Sequence, residues 1–374
     1  MNIAVNTRFL MKDHLEGVGY FIKEVFGRIA SAHPEHQFYF LFDRPHAANL
    51  HFPANVTPVV IGPPARHPLL WKYWFDVKVP SVLRKVKADL FVSTDGFCSL
   101  ATRVPQLLLV HDLGFLHYPA AYKKSNMLFY KTYTPRFLKK ARHIATVSEY
   151  TRQDLVSQYA IDPNKIGVVY SAVKPSFHPL AEEEKNRVKD QYTGGNEYFI
   201  YAGAIQPRKN LVNLLKAFSL YKKRLKNNWK LVLTGRLAWK NQEFLDLMKT
   251  YKYRNDVVMT GYVDEEELVK LVGASYALVY PSYFEGFGVP VLEAMKAEVP
   301  AITSGKSSME EIAGEAALYF DPHKPEDIAE KMMLIYKDED LRRSLINKGK
   351  TVATQYSWDR TAQLVWQQMM KALD

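Results

Sequence analysis

The stretch Glu285-Gly-Phe-Gly-Val-Pro-Val-Leu-Glu293 places two carboxylates eight positions apart, with a Gly-Phe-Gly turn and a proline between them. The apolar run Ala277–Tyr280 before it predicts a buried strand. Pro290 has the fixed backbone angle that suits the first position of a helix. We therefore expect Glu285 just beyond the carboxyl end of a strand and Glu293 in the first turn of a helix.

The backbone between the two glutamates supplies hydrogen-bond donors. The N–H groups of Phe287, Gly288 and Val289 precede the predicted helix, whose N-terminus carries a partial positive charge. Such a place suits an anionic or hydroxyl-rich ligand with a carboxylate on either side. A tight turn followed by an acidic residue at a helix start is the simpler alternative.

Short apolar runs alternate with amphipathic helical stretches through the rest of the chain. The predicted strands are Asn2–Asn6, Gln37–Leu41, Val56–Ile61, Leu90–Ser93, Gln106–His111, Ile144–Ser148, Ile166–Tyr170, Tyr198–Ala202, Lys230–Thr234, Val257–Met259, Ala277–Tyr280, Ala301–Thr303 and Leu318–Phe320. In the first half, helical stretches fall near 19–32, 69–86, 122–141 and 150–159. This alternation predicts an α/β fold with parallel sheets covered by helices on both faces.

A length of 374 residues predicts two domains. Two prolines in Lys174-Pro-Ser-Phe-His-Pro179 interrupt regular structure, and a charged segment follows them. We predict an N-terminal domain over 1–177, a linker over 178–195, a second domain over 196–356 and a final helical segment over 357–374. Ser357 suits the cap of that last helix.

The charge is placed unevenly along the chain. Residues 1–177 carry 22 basic and 12 acidic side chains, and this half holds nearly all of the net charge of +11. No nucleic-acid-binding module is recognisable, so an anionic membrane surface is the first interpretation and a merely solvated surface the second. The single Cys98 excludes a disulfide framework, and no signal peptide or 18-residue apolar run is visible. A cytoplasmic location is expected.

Further short motifs follow in a characteristic order: Gly17-Val-Gly19, His111-Asp112, Val147-Ser-Glu-Tyr-Thr151, Gly203-Ala-Ile-Gln-Pro-Arg-Lys-Asn210, Thr234-Gly235 and Thr260-Gly-Tyr262. With the Glu-x7-Glu stretch, this series resembles the retaining glycosyltransferases of family 4, in particular bacterial polysaccharide mannosyltransferases. The resemblance implies a GT-B fold, in which two Rossmann-like domains face each other across a cleft. It also implies that the final helix crosses back to the N-terminal domain.

Arg208 and Lys209 are adjacent cations beyond a strand and before a helix that Asn210 is expected to cap, and we expect no carboxylate or metal near them. Cations beside a helix N-terminus are unfavourable unless an anion lies between them, although two solvated loop cations are the alternative. The resemblance makes this pair the group that neutralises the nucleotide diphosphate. It also implies that His111 and Glu285 lie near the transferred sugar.

The remaining expected donor-binding residues come from the same resemblance. Gly17 and Gly19 are expected to bring backbone N–H groups to the donor phosphates, and a simple tight turn is the alternative. Glu293 is expected to hold the ribose. Asp95 is interpreted only as a residue that caps a loop. Ser148 and Glu149 are either cleft residues or residues that cap the following helix. For His111, the alternative is a side chain hydrogen-bonded to loop backbone. The other members of the donor site are Gly203, Thr234, Gly235, Tyr262, Phe287, Gly288 and Val289.

We recognise no Asp-x-Asp pair, the usual holder of a divalent metal, anywhere in the chain, so metal-independent transfer without a cofactor is the expectation. The resemblance implies a nucleotide-sugar donor, GDP-mannose or a UDP-sugar. It implies a glycan or lipid-linked acceptor at the inner face of the cytoplasmic membrane, and no nucleic-acid partner. A glycogen-type or sucrose-type synthase with a soluble acceptor and a non-catalytic nucleotide-sugar-binding protein are the alternatives.

Overall fold

The computed structural model describes residues 1–10, 15, 17–46 and 50–374. The chain divides into two compact units, the first made of Met1–Ser171 with Ser357–Asp374 and the second of Ala172–Tyr356. The segment 178–195, interpreted above as a linker, lies in the second unit and holds a helix at Glu182–Thr193. Each unit is built around its own parallel sheet.

The first unit contains a seven-stranded parallel sheet in the order β3-β2-β1-β4-β5-β6-β7. Its strands are β1 Asn2–Asn6, β2 Gln37–Phe42, β3 Val56–Val60, β4 Leu90–Ser93, β5 Gln106–Val110, β6 His143–Thr146 and β7 Ile166–Val168. Both faces of β4 and β5 are buried, as expected for a sheet with helices on both sides. Because β1, β4 and β5 are neighbours and parallel, their carboxyl ends share one sheet edge.

The helices of the first unit are α1 Gly17–Ala32, α2 Pro68–Tyr73, α3 Val79–Lys85, α4 Gly114–His117, α5 Lys124–Lys140, α6 Glu149–Tyr159 and, at the end of the chain, α15 Trp358–Lys371. A π-helical turn at Trp74–Lys78 joins α2 to α3, so the stretch predicted as one helix over 69–86 is three consecutive segments. The side chain of Ser148 accepts the N–H of Thr151 and caps α6, as its capping interpretation predicted.

The second unit contains a six-stranded parallel sheet in the order β10-β9-β8-β11-β12-β13. Its strands are β8 Tyr198–Ala202, β9 Lys230–Thr234, β10 Val257–Gly261, β11 Ala277–Tyr280, β12 Ala301–Ser304 and β13 Ala317–Phe320. Its helices are α7 Glu182–Thr193, α8 Leu211–Leu225, α9 Gln242–Thr250, α10 Glu265–Gly273, α11 Val289–Lys296, α12 Ser308–Ala313, α13 Pro325–Lys337 and α14 Glu339–Ala353. The predicted α/β fold with two parallel sheets is confirmed.

The final helix α15 packs within the first unit, against α1 and β6. Ser357 caps it by accepting the N–H of Arg360. His143 at the start of β6 forms a buried hydrogen bond of 2.8 Å with Gln368. Among the described residues, no helix is both long enough and apolar enough to cross a lipid bilayer.

Candidate active-site residues of the two units

Three charged residues of the second unit form one buried cluster at the carboxyl edge of its sheet. The ammonium Nζ of Lys209 lies 2.5 Å from Oε1 of Glu285, and Nη1 of Arg208 lies 3.3 Å from Oε2 of the same carboxylate. Arg208 and Lys209 follow β8 in a short 3-10 turn, and Glu285 follows β11. Since β8 and β11 are hydrogen-bonded neighbours, the sheet brings the two loops together.

Neutral side chains complete the environment of Glu285. Ser282 and Tyr280 donate hydroxyl hydrogen bonds of 2.5 and 3.2 Å to Oε1 of Glu285. The backbone of Glu285 is held by the hydroxyls of Ser307 and Ser308. The hydroxyls of Ser282 and Tyr280 therefore hold the carboxylate, and those of Ser307 and Ser308 hold the backbone that carries it.

The protonation state of Glu285 follows from these partners. Burial alone would raise its pKa, but the charges of Arg208 and Lys209 and the hydrogen bonds from Lys209 and Ser282 outweigh burial and lower the pKa to about 2. The carboxylate is therefore ionised at neutral pH. Two cations against one anion leave the cluster with a net charge of +1.

This cluster corrects one sequence-based inference. The adjacent cations Arg208 and Lys209 were expected to stand without a carboxylate nearby, yet Glu285, 76 positions after Lys209, is ion-paired with both. The signal for the pairing was present in the sequence, because both segments follow strands of one parallel sheet. What the sequence lacked was the order of those strands.

Asn210 also differs from expectation. It occupies the position before α8 with a left-handed backbone, φ +63°, but its side chain makes no capping hydrogen bond. Its amide instead donates to the backbone oxygens of Pro281 and Pro322, at 3.1 and 2.7 Å. Asn210 thus ties the loop after β8 to the loops after β11 and β13.

Glu293 is the fifth residue of α11, beyond the first turn in which it was predicted, and is 5% exposed. Its nearest cation is Lys174, whose Nζ is 4.0 Å from Oε1 and also 3.5 Å from Glu265. Burial raises the pKa of Glu293 to about 7; Lys174 opposes this rise and Glu265 adds to it. The two glutamates of the Glu-x7-Glu stretch therefore have opposite electrostatic environments.

The turn between them has the geometry that the glycines predicted. Gly288 precedes α11 with φ +98°, a conformation that other residues rarely adopt, and Pro290 occupies the first turn. Among the described residues, no acceptor is hydrogen-bonded to the backbone N–H groups of Phe287, Gly288 or Val289. These three donors precede the positive end of the helix.

The loops after β8, β9 and β10 are linked by close backbone contacts. Gly203 donates its N–H to Thr234, and Gly235 donates to Gly261, at 2.9 and 2.8 Å. A Cβ atom on Gly235 would lie 2.0 Å from the oxygen of Gly203, so only glycine fits there. Thr234 is buried, and Tyr262 is 56% exposed.

In the first unit, His111 follows β5 at the sheet edge. Its ring Nε2 is 2.9 Å from the carbonyl oxygen of Thr94, so Nε2 carries the hydrogen and Nδ1 is left as an acceptor. The ring also meets Phe21 edge to face at 5.4 Å. Burial lowers the pKa of His111, despite the opposing effects of the Thr94 hydrogen bond, Asp112 and Asp95, so the imidazole is neutral at pH 7.

Asp95 is the residue whose importance sequence reasoning missed. It follows β4, and its Oδ2 accepts a hydrogen bond of 2.5 Å from Nε of Arg8, which follows β1. Both side chains are nearly inaccessible, at 3% for Asp95 and 6% for Arg8. The available signal was its place after a strand adjacent to the one that precedes His111.

Gly17 and Gly19 have different surroundings. Gly17 begins α1, two residues before the predicted stretch 19–32, and a Cβ there would meet nothing within 4 Å. A Cβ on Gly19 would lie 2.5 Å from the carbonyl oxygen of Phe9. The close approach at Gly19 is thus to the chain's own backbone. Residues 11–14 and 16 of this loop lie outside the described residues.

Two observations bear on metal binding. The first corrects the sequence analysis, because the chain does carry one Asp-x-Asp, at Asp338-Glu339-Asp340. There Asp338 caps α14 by accepting the N–H of Leu341. In the described part of the chain, one group of potential metal ligands lies close enough together to share a metal ion, and it consists of His33, Glu35 and His36. These residues follow the C-terminal end of α1, whereas Gly17 lies at its N-terminal end.

Two family models match the two halves of the chain in tandem. Residues 16–177 match Glycosyltransferase Family 4, and residues 182–352 match Glycosyl transferases group 1. O-antigen chain mannosyltransferase B of Escherichia coli is 28% identical over 250 residues, 67% of this chain and 66% of that protein. The chain therefore spans slightly less than two thirds of that relative.

A second relative is covered more completely. O-antigen chain mannosyltransferase RfbU of Salmonella typhimurium is 26% identical over 302 residues, which is 80% of this chain and 78% of that protein. In fold, the chain is similar to sucrose-phosphate synthase from Thermosynechococcus elongatus, with a TM-score of 0.80, 16% identity and 98% of both chains covered. The two family models match the two parallel-sheet units in order along the chain. The chain therefore belongs to the family 4 and group 1 glycosyltransferases of the GT-B fold.

Proposed function

We propose that this chain is a retaining hexosyltransferase that moves mannose from a nucleotide diphosphate sugar to a glycan or lipid-linked acceptor in cell-surface polysaccharide synthesis. The observation that carries the proposal is the buried cluster of Arg208, Lys209 and Glu285, with its net charge of +1. A diphosphate is the leaving group that such a cluster stabilises.

The reaction breaks the bond between the anomeric carbon and the diphosphate oxygen. The acceptor hydroxyl oxygen bonds to the anomeric carbon from the face that the diphosphate leaves, and its proton passes to the departing phosphate oxygen. Arg208 and Lys209 stabilise the negative charge that develops on the diphosphate. Glu285 holds both cations in place, so they need no reorganisation when this charge appears.

Three further parts of the second unit are proposed to bind the donor. The N–H groups of Phe287, Gly288 and Val289, which have no acceptor among the described residues, donate hydrogen bonds to phosphate oxygens at the positive end of α11. Glu293 accepts hydrogen bonds from the ribose hydroxyls in its ionised form. The loops at Gly203, Thr234, Gly235 and Tyr262 are proposed to border the nucleobase.

Glu293 provides a direct test of donor binding. Because its pKa is raised to about 7, the ionised form is depleted below neutral pH. The affinity for GDP, measured by calorimetry, is expected to weaken as the pH falls from 8 to 6, and to be weak and independent of pH in Glu293→Gln. A wild-type affinity that does not change over this range removes Glu293 from the ribose site.

Mannose is proposed as the sugar because the two relatives named above are mannosyltransferases of O-antigen chains. The test incubates the protein with isotope-labelled GDP-mannose, UDP-glucose or UDP-galactose and membranes of a polysaccharide-producing bacterium. We expect GDP release and labelled glycan from GDP-mannose, with the donor's α configuration retained in NMR spectra. Binding without release of nucleoside diphosphate favours the non-catalytic alternative. Transfer to soluble sugars alone favours a synthase, the activity for which the structural neighbour is named.

A membrane-facing surface is proposed for the first unit. Several aromatic residues of the basic helical region are part of the core: Trp71, Trp74 and Phe129 are at most 9% exposed. Other apolar side chains are exposed on α2, the adjoining π-helical turn and α5, which pack side by side. They are Leu69, Leu70, Tyr73, Val77 and Leu128.

Basic side chains accompany these apolar residues. Exposed cations on and just before α5 are Lys123, Lys124, Lys131, Arg136, Lys139 and Lys140. Exposed aliphatic groups among cations suit a surface of anionic lipid, where each basic residue contributes about 1 kcal/mol at physiological salt. A cytoplasmic enzyme held at the inner face of the membrane would meet a lipid-linked acceptor there.

A further inference from the structure

The turn between α1 and β2 carries side chains that can ligate a metal ion. The sequence His33-Pro-Glu-His36 follows Ala32, the last residue of α1, and precedes Gln37, the first residue of β2. The turn therefore lies at the amino edge of the first unit's parallel sheet. His111, which follows β5, lies at the carboxyl edge, so the turn is separate from the candidate active-site residues.

The three polar side chains of this turn converge on one oxygen. Nδ1 of His33 lies 3.4 Å from Oε1 of Glu35, and Nε2 of His36 lies 3.3 Å from the same oxygen. The ligand atoms of all three residues lie within 4.8 Å of one another. A tetrahedral ion with bonds of about 2.0–2.1 Å separates its ligand atoms by about 3.3–3.4 Å. Both nitrogen–oxygen distances match this separation, and both exceed the usual N–H···O distance of about 2.9–3.0 Å.

The backbone of the turn is held by one side chain from outside it. The amide of Asn55, just before β3, shares its two N–H donors among the carbonyl oxygens of Ala30, His33 and His36, at 2.9, 3.0 and 3.0 Å. The N–H of His36 also donates to the carbonyl of His33, at 3.2 Å. Ligands on a backbone that is already fixed lose less conformational entropy when they bind an ion.

Both imidazole rings of the turn stack on an indole of the final helix. The ring centroid of His33 lies 3.7 Å from that of Trp366 in α15, with 19° between the planes. His36 stacks on the same indole at 5.4 Å and 24°. Stacking restricts the rotation of both rings, while 26% and 16% of the two histidine side chains stay exposed. An ion from solvent therefore reaches nitrogens that are already oriented.

The ligand set consists of two imidazoles and one carboxylate. Three such ligands leave the fourth position of a tetrahedral ion to water. Imidazole nitrogen suits zinc, copper and nickel, whereas magnesium and calcium take oxygen ligands. In His36, Nε2 is the nitrogen directed at Glu35, since Nδ1 faces the backbone nitrogen of Met1 at 3.4 Å. The chemistry of the turn thus favours a divalent transition metal.

We propose that His33, Glu35 and His36 bind one divalent transition-metal ion, with Zn²⁺ as the first candidate. The ligand atoms are Nδ1 of His33, Oε1 of Glu35 and Nε2 of His36. The bound ion closes the turn between α1 and β2 and holds the two rings on which Trp366 stacks. Its role is structural: it stabilises the packing of α15 on the first unit and takes no part in the chemistry of the donor.

Calorimetry on metal-free protein gives the first test. Zinc chloride is titrated into the wild type, Glu35→Gln and His36→Gln. We expect one ion per chain in the wild type and an affinity lower by about tenfold or more in each variant, since even residues that only support a ligand contribute about 10- to 100-fold. His51→Gln, at an exposed position of the same unit, should bind zinc as the wild type does. No saturable binding by the wild type, or equal affinity in the ligand variants and the control, overturns the site.

Fluorescence quenching locates the ion. Cu²⁺ bound to the turn quenches an indole at contact distance, and Trp366 is the indole stacked on His33. Part of the tryptophan emission of the wild type should therefore be lost when Cu²⁺ binds. Trp366→Phe, which keeps an aromatic ring in the stack, should show no such loss. The same loss of emission in Trp366→Phe places the ion elsewhere and overturns the proposal.

Stability and turnover separate this inference from the proposed function. Zinc should raise the melting temperature of the wild type but not that of His36→Gln, because an ion that binds only the folded state stabilises it. Turnover of GDP-mannose should be equal in the two proteins, since the turn lies at the opposite sheet edge from the proposed chemistry. Zinc binding with no turnover in either protein refutes the proposed function alone, and turnover without zinc binding refutes the metal site alone. Turnover that follows zinc occupancy overturns the structural role.

Discussion

Glu285 and Glu293 are both buried and stand eight positions apart, yet their carboxyl groups are tuned in opposite directions, with pKa values of about 2 and about 7. The difference comes from their partners. Lys209 lies 2.5 Å from Glu285, whereas the nearest cation to Glu293, Lys174, is 4.0 Å away and shared with Glu265. The Glu285 carboxylate is ionised at neutral pH, whereas the pKa of Glu293 lies near neutral pH.

Replacing Lys209 by Met should lower both stability and donor affinity. The change leaves the Glu285 carboxylate buried with only Arg208 as a cation partner, which costs about 3 kcal/mol for a broken buried pair. Urea unfolding and GDP calorimetry measure the two effects. The double variant Lys209→Met with Glu285→Gln should be more stable than Lys209→Met alone, because no carboxylate remains to be satisfied. Lys216→Met, at an exposed position on α8, is the control for the loss of a lysine. Equal stability of Lys209→Met and the wild type would contradict the ion pair between Lys209 and Glu285.

Stability should depend on pH through Glu293. Its pKa is about 7 when folded, against an ordinary value of 4.5, so between these values the folded state retains a proton that the unfolded state releases. The associated stability is fully present below pH 4.5 and is lost as the pH rises to 7, by about 3 kcal/mol. Glu293→Gln should therefore gain stability relative to wild type on going from pH 5 to pH 8. Thermal melts across this range that run parallel for both proteins would rule the effect out.

Gly235→Ala should be far more damaging than Gly261→Ala. Both glycines have positive φ, +137° and +70°, but a Cβ at Gly235 would lie 2.0 Å from the oxygen of Gly203, whereas Gly261 has open space. We expect about 1–2 kcal/mol of destabilisation at Gly261 from backbone strain alone. At Gly235 the clash adds to this, and GDP binding should weaken as the strand ends separate. Similar denaturation midpoints for the two variants would refute the close contact.

Transfer should survive a chelator. In the proposed site, Arg208 and Lys209 supply the positive charge that a metal would otherwise provide. The Asp338-Glu339-Asp340 triplet lies at the start of α14, where Asp338 caps the helix. Turnover of labelled GDP-mannose is measured before and after dialysis against EDTA. Loss of turnover that manganese or magnesium restores would reveal a metal requirement.

The first unit should bind vesicles that contain anionic lipid. Replacing both Leu69 and Leu128 by Gln removes two aliphatic side chains that are 76% and 71% exposed. Co-sedimentation with phosphatidylglycerol vesicles should fall severalfold, while Leu334→Gln in the second unit, 39% exposed in the wild type, has no effect. Binding should weaken with salt. Equal binding to neutral and anionic vesicles, or none to either at low salt, would favour a soluble acceptor.

Periodicity in the sequence determined much of this protein. Alternating apolar runs and amphipathic stretches predicted two parallel sheets, with strand bounds within about two residues of those observed, because buried parallel strands need continuous apolar sequence. Turn chemistry located the edge where ligands bind: Gly288 and Pro290 predicted the start of α11, and Ser357 the start of α15. These are local signals, since a backbone angle or a cap depends on neighbouring residues.

Only the tertiary structure decided which charges meet. Whether Lys209 is a free cation or the partner of Glu285 depends on β8 lying beside β11, and Asp95 meets Arg8 only because β4 lies beside β1. Charge state likewise depends on burial, which the spacing of two glutamates does not encode. Coulomb energy and desolvation act through space over a few ångströms, so residues far apart in sequence set them.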